Sequence, residues 1–175
     1  DVYKRQTSSD LNNASNTQLS SVEVVTAASA ANGVAINLGV QTEGFTLTGS
    51  GFSDTLTGGS GADTINAGAG DDTINGFAGA DSIDGGLGVN TLALTATSTT
   101  LNAATNAQIA NISVISAVGA GGGVSIVLTS QTEGFSIIGG ASADTLTGGG
   151  GADTIVGFLG ADIITGGAAT DTLAL

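Results

Sequence analysis

This sequence predicts an all-β fold: a parallel β-solenoid of 18-residue coils, laid out as two copies of a module of roughly 90 residues. Three observations predict it. Residues 11–65 realign with residues 101–155 at an offset of 90, including the identical Gln41-Thr42-Glu43-Gly44-Phe45 and Gln131-Thr132-Glu133-Gly134-Phe135. Beyond Ile65 the offset shortens, because Gly76-Phe77-Ala78-Gly79-Ala80-Asp81 matches Gly157-Phe158-Leu159-Gly160-Ala161-Asp162 at 81, a difference of nine residues. A deletion that removes a whole stacking unit keeps its neighbours in register, so nine residues are a structural quantum. Finally, the chain holds 30 Gly in 175 residues and no Pro, Cys, Met, Trp or His. It lacks the varied large side chains of an ordinary globular core, and regular stacking is the way left to bury what it has.

The elements follow in chain order. Residues 1–6, Asp1-Val2-Tyr3-Lys4-Arg5-Gln6, contain both basic residues and the only Tyr and match nothing downstream, so they read as a scar foreign to the fold. The first module covers 7–94. Its residues 11–19, rich in Asn and Ala, read as loop or a single helical turn. Val22-Glu23-Val24-Val25, Val34-Ala35-Ile36-Asn37-Leu38 and Phe45-Thr46-Leu47 read as short strands, so 11–48 continue the solenoid without metal. Residues 49–93 hold five nonapeptides: GSGFSDTLT, GGSGADTIN, AGAGDDTIN, GFAGADSID and GGLGVNTLA. Residues 95–100 are a junction. The second module, 101–175, repeats the plan with metal-free strands over 101–138 and four nonapeptides over 139–174: GGASADTLT, GGGGADTIV, GFLGADIIT and GGAATDTLA. Residues 112–128 are uncharged and fairly apolar, but they are short and broken by Gly119 and Gly121-Gly122-Gly123, which suits a buried pair of strands rather than a membrane span.

Within a unit, a strand such as Thr64-Ile65-Asn66 turns its middle side chain one way and its neighbours the other. Leu56, Ile65, Ile74, Ile83 and Leu92 therefore form an inner ladder, and the small residues between them make tight turns. Each nonapeptide is half a coil, and 18-residue rungs stack at roughly 4.8 Å. Adjacent units then turn on opposite sides, and each position-six Asp lies above the one two units away. The pairs are Asp54 with Asp72, Asp63 with Asp81, Asp144 with Asp162 and Asp153 with Asp171. Carboxylates held that close repel unless a cation lies between them. Ca²⁺ suits the donors, taking six to eight oxygens with flexible geometry, and Mg²⁺ suits them less because it demands a tight octahedron. The metal-free alternative is that these Asp side chains cap their own turns. Asp71 and Asp84 lie outside position six and read as solvated charges, and Phe45, Phe52, Phe77, Phe135 and Phe158 read as plugs for the ends or corners of a thin core.

Charge narrows the function classes. Lys4 and Arg5 face 15 acidic residues, the formal charge is −13, and residues 7–175 carry 14 acids and no base. Nucleic acid and anionic membranes are disfavoured as partners and cations favoured. Without Cys there is no disulfide framework, and no charged-then-apolar leader opens the chain. With no His or Cys, and no Lys beyond residue 6, only carboxylates and hydroxyls are left for chemistry, so an enzyme is not expected.

The nonapeptides resemble the RTX, or hemolysin-type, calcium-binding repeat G-G-x-G-x-D-x-U-x, in which U is a large aliphatic. The resemblance spans about 81 of 175 residues, and eight of nine units carry the Asp. It implies a β-roll whose sites are completed by carbonyls at positions two and four of one turn and one and three of the turn two units on. For Asp54 and Asp72 these are the carbonyls of Ser50, Phe52, Ala67 and Ala69; for Asp63 and Asp81, those of Gly59, Gly61, Gly76 and Ala78. Asp144 and Asp162 take Gly140, Ser142, Gly157 and Leu159, and Asp153 and Asp171 take Gly149, Gly151, Gly166 and Ala168. Asp72 pairs onward with Asn90, with Gly68, Gly70, Gly85 and Leu87, and the neutral amide weakens that site. About four Ca²⁺ follow, with five the ceiling. Ser142 and Ala169 replace the position-four Gly and predict strained turns around Asp144 and Asp171.

The resemblance further implies a structural module of a secreted or cell-surface bacterial protein, exported through a type I channel and folded by calcium outside the cell. The chain stops at Leu175 directly after a repeat, which reads as a fragment whose neighbours are further repeats of a longer parent chain. An alternative is an adhesin module that binds ice or glycans through outward hydroxyls, with Thr55, Thr73 and Thr91 on one face and Thr64 and Ser82 on the other.

Overall fold

Runs of the Thr-aliphatic-x kind are separated by Gly, Ala, Ser and Asp, so strands can be only a few residues long before the chain must turn. The computed structural model describes residues 9–175; the expected scar at residues 1–6 lies outside the described residues. Eight short strands cover the first module: β1 (Val24–Thr26), β2 (Ala35–Asn37), β3 (Thr46–Ser50), β4 (Thr55–Thr57), β5 (Thr64–Gly68), β6 (Thr73–Asn75), β7 (Ser82–Asp84) and β8 (Thr91–Ala93). The rest of the chain adds β9 (Ile109–Ala110), β10 (Val114–Ser116), β11 (Ser125–Val127), β12 (Ser136–Ile138), β13 (Thr145–Thr147), β14 (Thr154–Val156), β15 (Ile163–Thr165) and β16 (Thr172–Ala174). Among the described residues helix is confined to α1 (Ser9–Asn12), α2 (Thr99–Asn102) and a 3-10 turn at Asn106–Gln108. Residues 11–19 are loop and the end of one helical turn as expected, whereas 101–109 holds the end of α2, the 3-10 turn and the first residue of β9. Residues 112–128 supply β10 and β11, and no helix among the described residues is long and apolar enough to cross a membrane.

Every pairing is parallel and links strands two apart in sequence, so the chain is an all-β parallel solenoid. Thr55 stands opposite Thr73, Thr64 opposite Ser82, and Thr154 opposite Thr172, each 18 residues apart. Outside the nonapeptides the coil lengthens, to 22 residues between Val24 and Thr46, 20 between Ala35 and Thr55, and 26 between Ile83 and Ile109. The even-numbered strands β2 to β16 form one eight-stranded sheet that runs through both modules, with β8 pairing directly to β10 across the 95–100 segment. The odd-numbered strands form a five-stranded sheet, β1 to β9, and a separate three-stranded one, β11-β13-β15.

The core is the thin layer between these sheets. Leu56, Ile65, Ile74, Ile83 and Leu92 are all buried, as the inward ladder requires, and Ile115, Ile126, Ile137, Leu146 and Ile155 continue it. Each such side chain contributes about 1.5–3 kcal/mol. The ladder weakens at the last described rung, where Ile164 is partly buried and Leu173 is 48% exposed. Phe45, Phe77 and Phe135 are buried as the expected plugs, but Phe52 and Phe158 are each 48% exposed. On the outer face of the eight-stranded sheet, Thr55, Thr73 and Thr91 are in register; the column is interrupted by Val114 and Ser136 and resumes at Thr154 and Thr172.

Candidate metal centre

The coil length fixes which carboxylates meet. The Asp54 N–H donates to Asp72 Oδ1 at 2.7 Å, Asp63 N–H to Asp81 Oδ1 at 2.9 Å, Asp144 N–H to Asp162 Oδ1 at 2.8 Å, and Asp153 N–H to Asp171 Oδ1 at 2.9 Å. All four pairs expected from spacing are brought together. The fifth pair is present too, with the Asp72 N–H donating to Asn90 Oδ1 at 3.0 Å. Asn90 is buried, and its Nδ2 donates to the Asn111 carbonyl at 3.0 Å. An amide at this rung can therefore bond downward as an acceptor and upward as a donor, where the level above has no Asp.

The second carboxylate oxygen is held within its own turn. Asp63 Oδ2 accepts from the Gly59 N–H at 2.8 Å, Asp144 Oδ2 from Gly140 at 2.6 Å, Asp153 Oδ2 from Gly149 at 2.8 Å, and Asp81 Oδ2 from Ala78 at 2.7 Å. This contact explains the glycine at position one. A Cβ on Gly58 would lie 2.3 Å from Asp63 Oδ2, and one on Gly148 would lie 2.2 Å from Asp153 Oδ2. In the turn that has Ala67 at position one, Asp72 Oδ2 is buried with no hydrogen-bond partner. Asp162 Oδ2 is likewise buried without a hydrogen-bond partner, in a turn that has Gly157 at position one.

Electrostatics adds to this. Asp54, Asp63, Asp72, Asp81, Asp144 and Asp153 are at most 3% exposed, and residues 7–175 contain no base to neutralise them. Burial drives the Asp81 carboxyl up from its ordinary 3.8 to about 6, opposed by N–H donors from Asp63 and Ala78 and reinforced by the Asp63 charge. Asp72 is raised chiefly by burial, against the Asp54 N–H bond, with the charges of Asp54 and Asp71 adding to the rise. Among the described residues no three His, Cys, Asp or Glu side chains gather into one cluster. A cation here would take two side-chain oxygens and draw the rest from turn carbonyls. Two orphaned buried oxygens, buried like charges and an all-oxygen donor set fit a hard divalent ion such as Ca²⁺.

Some of the expected carbonyl donors carry hydrogen bonds from the level above. The Ser50 carbonyl accepts from the Ala69 N–H, Gly68 from Leu87, and Gly149 from Ala168, while the Leu87 carbonyl accepts from Gly70 and Gly157 from Leu159. A carbonyl has two lone pairs, so each keeps one for a cation. The two departures at position four differ: Ala169 is forced to φ 66, the left-handed region that disfavours a Cβ, whereas Ser142 is not among the residues at positive φ. Strain is found in the Asp171 turn only. Asp71 and Asp84 are more than solvated charges. Asp71 Oδ1 accepts from the Val89 N–H at 2.8 Å, and Asp84 Oδ1 accepts from the Gly86 N–H at 2.9 Å and from Asn111 Nδ2 at 2.7 Å. Their role depends on residues 18 and 27 positions away, a distance at which local sequence carries no signal.

Residues 46–74, 57–92 and 138–173 match the model of the RTX calcium-binding nonapeptide repeat, in its four-copy form. Comparison with curated proteins and with solved structures finds no match.

Proposed function

Because the chain carries RTX calcium-binding nonapeptide repeats in both of its arrays, we propose that it belongs to a secreted or cell-surface bacterial protein and folds when it meets Ca²⁺ outside the cell. The chain is a calcium-binding structural repeat module. The observation that carries the proposal is the buried ladder of like charges without a base among them. A divalent ion between stacked Asp residues removes their repulsion, and its binding free energy becomes folding free energy. Without it a chain of formal charge −13 repels itself and stays disordered.

The ions would be held by Asp54 with Asp72, Asp63 with Asp81, Asp144 with Asp162, Asp153 with Asp171, and more weakly Asp72 with Asn90, each completed by carbonyls of the two turns. What they supply is charge neutralisation and cross-linking of adjacent rungs, so the function is conditional rigidity rather than catalysis. Neighbouring repeats of a longer parent chain and export through a type I channel complete the reading.

Circular dichroism of the chain in EDTA and in millimolar Ca²⁺ tests it, since extracellular calcium modules work near roughly 10⁻⁴–10⁻³ M. A cooperative gain of β signal with calcium is expected. A full β spectrum in chelator, unchanged by calcium, would leave turn capping by the Asp side chains as the explanation of the ladder.

A further inference from the structure

Two of the three sheets, those that begin at β2 and at β11, have side chains in place of a strand along that parallel edge. At β11 Thr97 Oγ1 accepts from the Ser125 N–H at 2.8 Å. At both edges an Asn makes a pair of bonds. Asn12 Nδ2 donates to the Ala35 carbonyl at 3.1 Å while Asn12 Oδ1 accepts from the Asn37 N–H at 2.8 Å. Asn102 Nδ2 donates to the Ser125 carbonyl at 3.1 Å while its Oδ1 accepts from the Val127 N–H at 2.9 Å. A residue in a neighbouring parallel strand makes this same pair of bonds, to the carbonyl before and the N–H after the residue it faces. Here a carboxamide replaces the strand.

The rest of each segment repeats as well. Gln41 Nε2 reaches from the turn after β2 to the Ala14 carbonyl at 2.7 Å, and Gln131 Nε2 reaches from the turn after β11 to the Ala104 carbonyl at 2.9 Å. The Thr42 N–H donates to Asn16 Oδ1 at 2.8 Å and the Thr132 N–H to Asn106 Oδ1 at 2.7 Å. Asn16 Nδ2 and Asn106 Nδ2 donate to Glu43 and Glu133 Oε1 at 3.1 and 3.0 Å. Within the segments, Gln18 Oε1 accepts from the Ser15 N–H and Gln108 Oε1 from the Thr105 N–H. Leu101 and Ile109 anchor the second segment in the core, and Leu11 and Leu19 pack against the core from the first.

We propose that residues 11–19 and 101–109 are interchangeable edge caps, docking units that recognise a parallel strand edge followed by a Gln-Thr-Glu-Gly-Phe turn, with Asn12 and Asn102 as the residues that close the edge. The first cap seals the end of the eight-stranded sheet. The second is inserted inside the chain and lets the three-stranded sheet start afresh at β11 while the eight-stranded sheet continues past it. An uncapped edge of this kind pairs with other chains, so the cap also keeps the roll from adding strands there.

Amide hydrogen exchange on the full chain with saturating Ca²⁺ tests this. The Asn37 and Val127 N–H groups should be protected although no strand pairs with them on that side. Asn102→Ala should speed exchange at Val127 at least about tenfold and leave Asn37 unchanged, and Asn12→Ala should do the reverse. Unprotected Val127 in the native chain, or unchanged exchange in Asn102→Ala, overturns the proposal. Should Asn102→Ala fail to fold, Asn102→Asp decides, because it keeps the acceptor for Val127 and loses only the donor to Ser125. Protection at Val127 within about threefold of native then supports the cap, and its loss refutes it.

Discussion

Removing one carboxylate from a stacked pair should disable the whole site. Asp63 and Asp81 are joined by a direct bond from the Asp63 N–H to Asp81 Oδ1, and the two strands that follow them, β5 and β7, are neighbours in one sheet. Asp72 leads into β6, which lies in the other sheet. In Asp63→Asn an amide takes the place of a charged ligand, and the Gly59 N–H, which now bonds Asp63 Oδ2 at 2.8 Å, loses a charged acceptor. A hydrogen bond to a charged group is worth about 1.5–3 kcal/mol, which corresponds to roughly one to two decades of affinity at the one site. Asp81→Asn should lose the same ion, and the double variant should be barely weaker than either single one. The coupling energy is then about as large as a single loss, whereas Asp63→Asn with Asp72→Asn should be additive within about 0.5 kcal/mol. Calcium titration calorimetry on the native chain, the three single variants and the two double variants measures both cycles. Additive losses in the first cycle together with strong coupling in the second would refute shared sites between turns 18 residues apart.

The same calorimetry should count no more than five ions in the native chain, four stronger and at most one weaker, because Asn90 supplies a neutral ligand to Asp72. For the metal-free chain, the raised carboxyls of Asp81, at about 6, and Asp72 mean that the fold binds protons more tightly than the unfolded chain does. The Asp81 contribution is fully present below the ordinary 3.8 and lost as pH rises through about 6, and the Asp72 contribution has the same sign. Acidifying the chain in chelator from pH 7 to about 4 should therefore raise its β signal, and a flat or falling signal would contradict this. With calcium the sign reverses, since protons compete for the ligands and the calcium midpoint should move upward below about pH 6. Ala169→Gly should stabilise the calcium-loaded chain by up to about 1 kcal/mol in thermal melts, because it relieves the Cβ penalty at φ 66.

The sequence by itself determined the parts that repeat. A side-chain alternation of two and a unit of nine put Leu56, Ile65 and Ile74 inward and set Asp63 against Asp81, because both periods are local and recur often enough to leave one register. The same logic paired Asp72 with Asn90 and singled out Ser142 and Ala169, of which only Ala169 is in the left-handed region. Tertiary structure alone decided what depends on the level above or below. Nothing in Asn12 or Asn102 announces that its amide will face a strand edge some 23 residues later. Nor does position five of a turn reveal that Asp71 will hold the Val89 N–H, or a position-two Phe whether the core will cover it, as it covers Phe77 and leaves Phe158 exposed. The continuity of the eight-stranded sheet past the 95–100 segment belongs here too, since it arises from β8 stacking on β10 at a coil of 23 residues that no repeat specifies. Between rungs the free energy comes from backbone hydrogen bonds and buried contacts among residues far apart in the chain, so stacking resolves what local pattern leaves open.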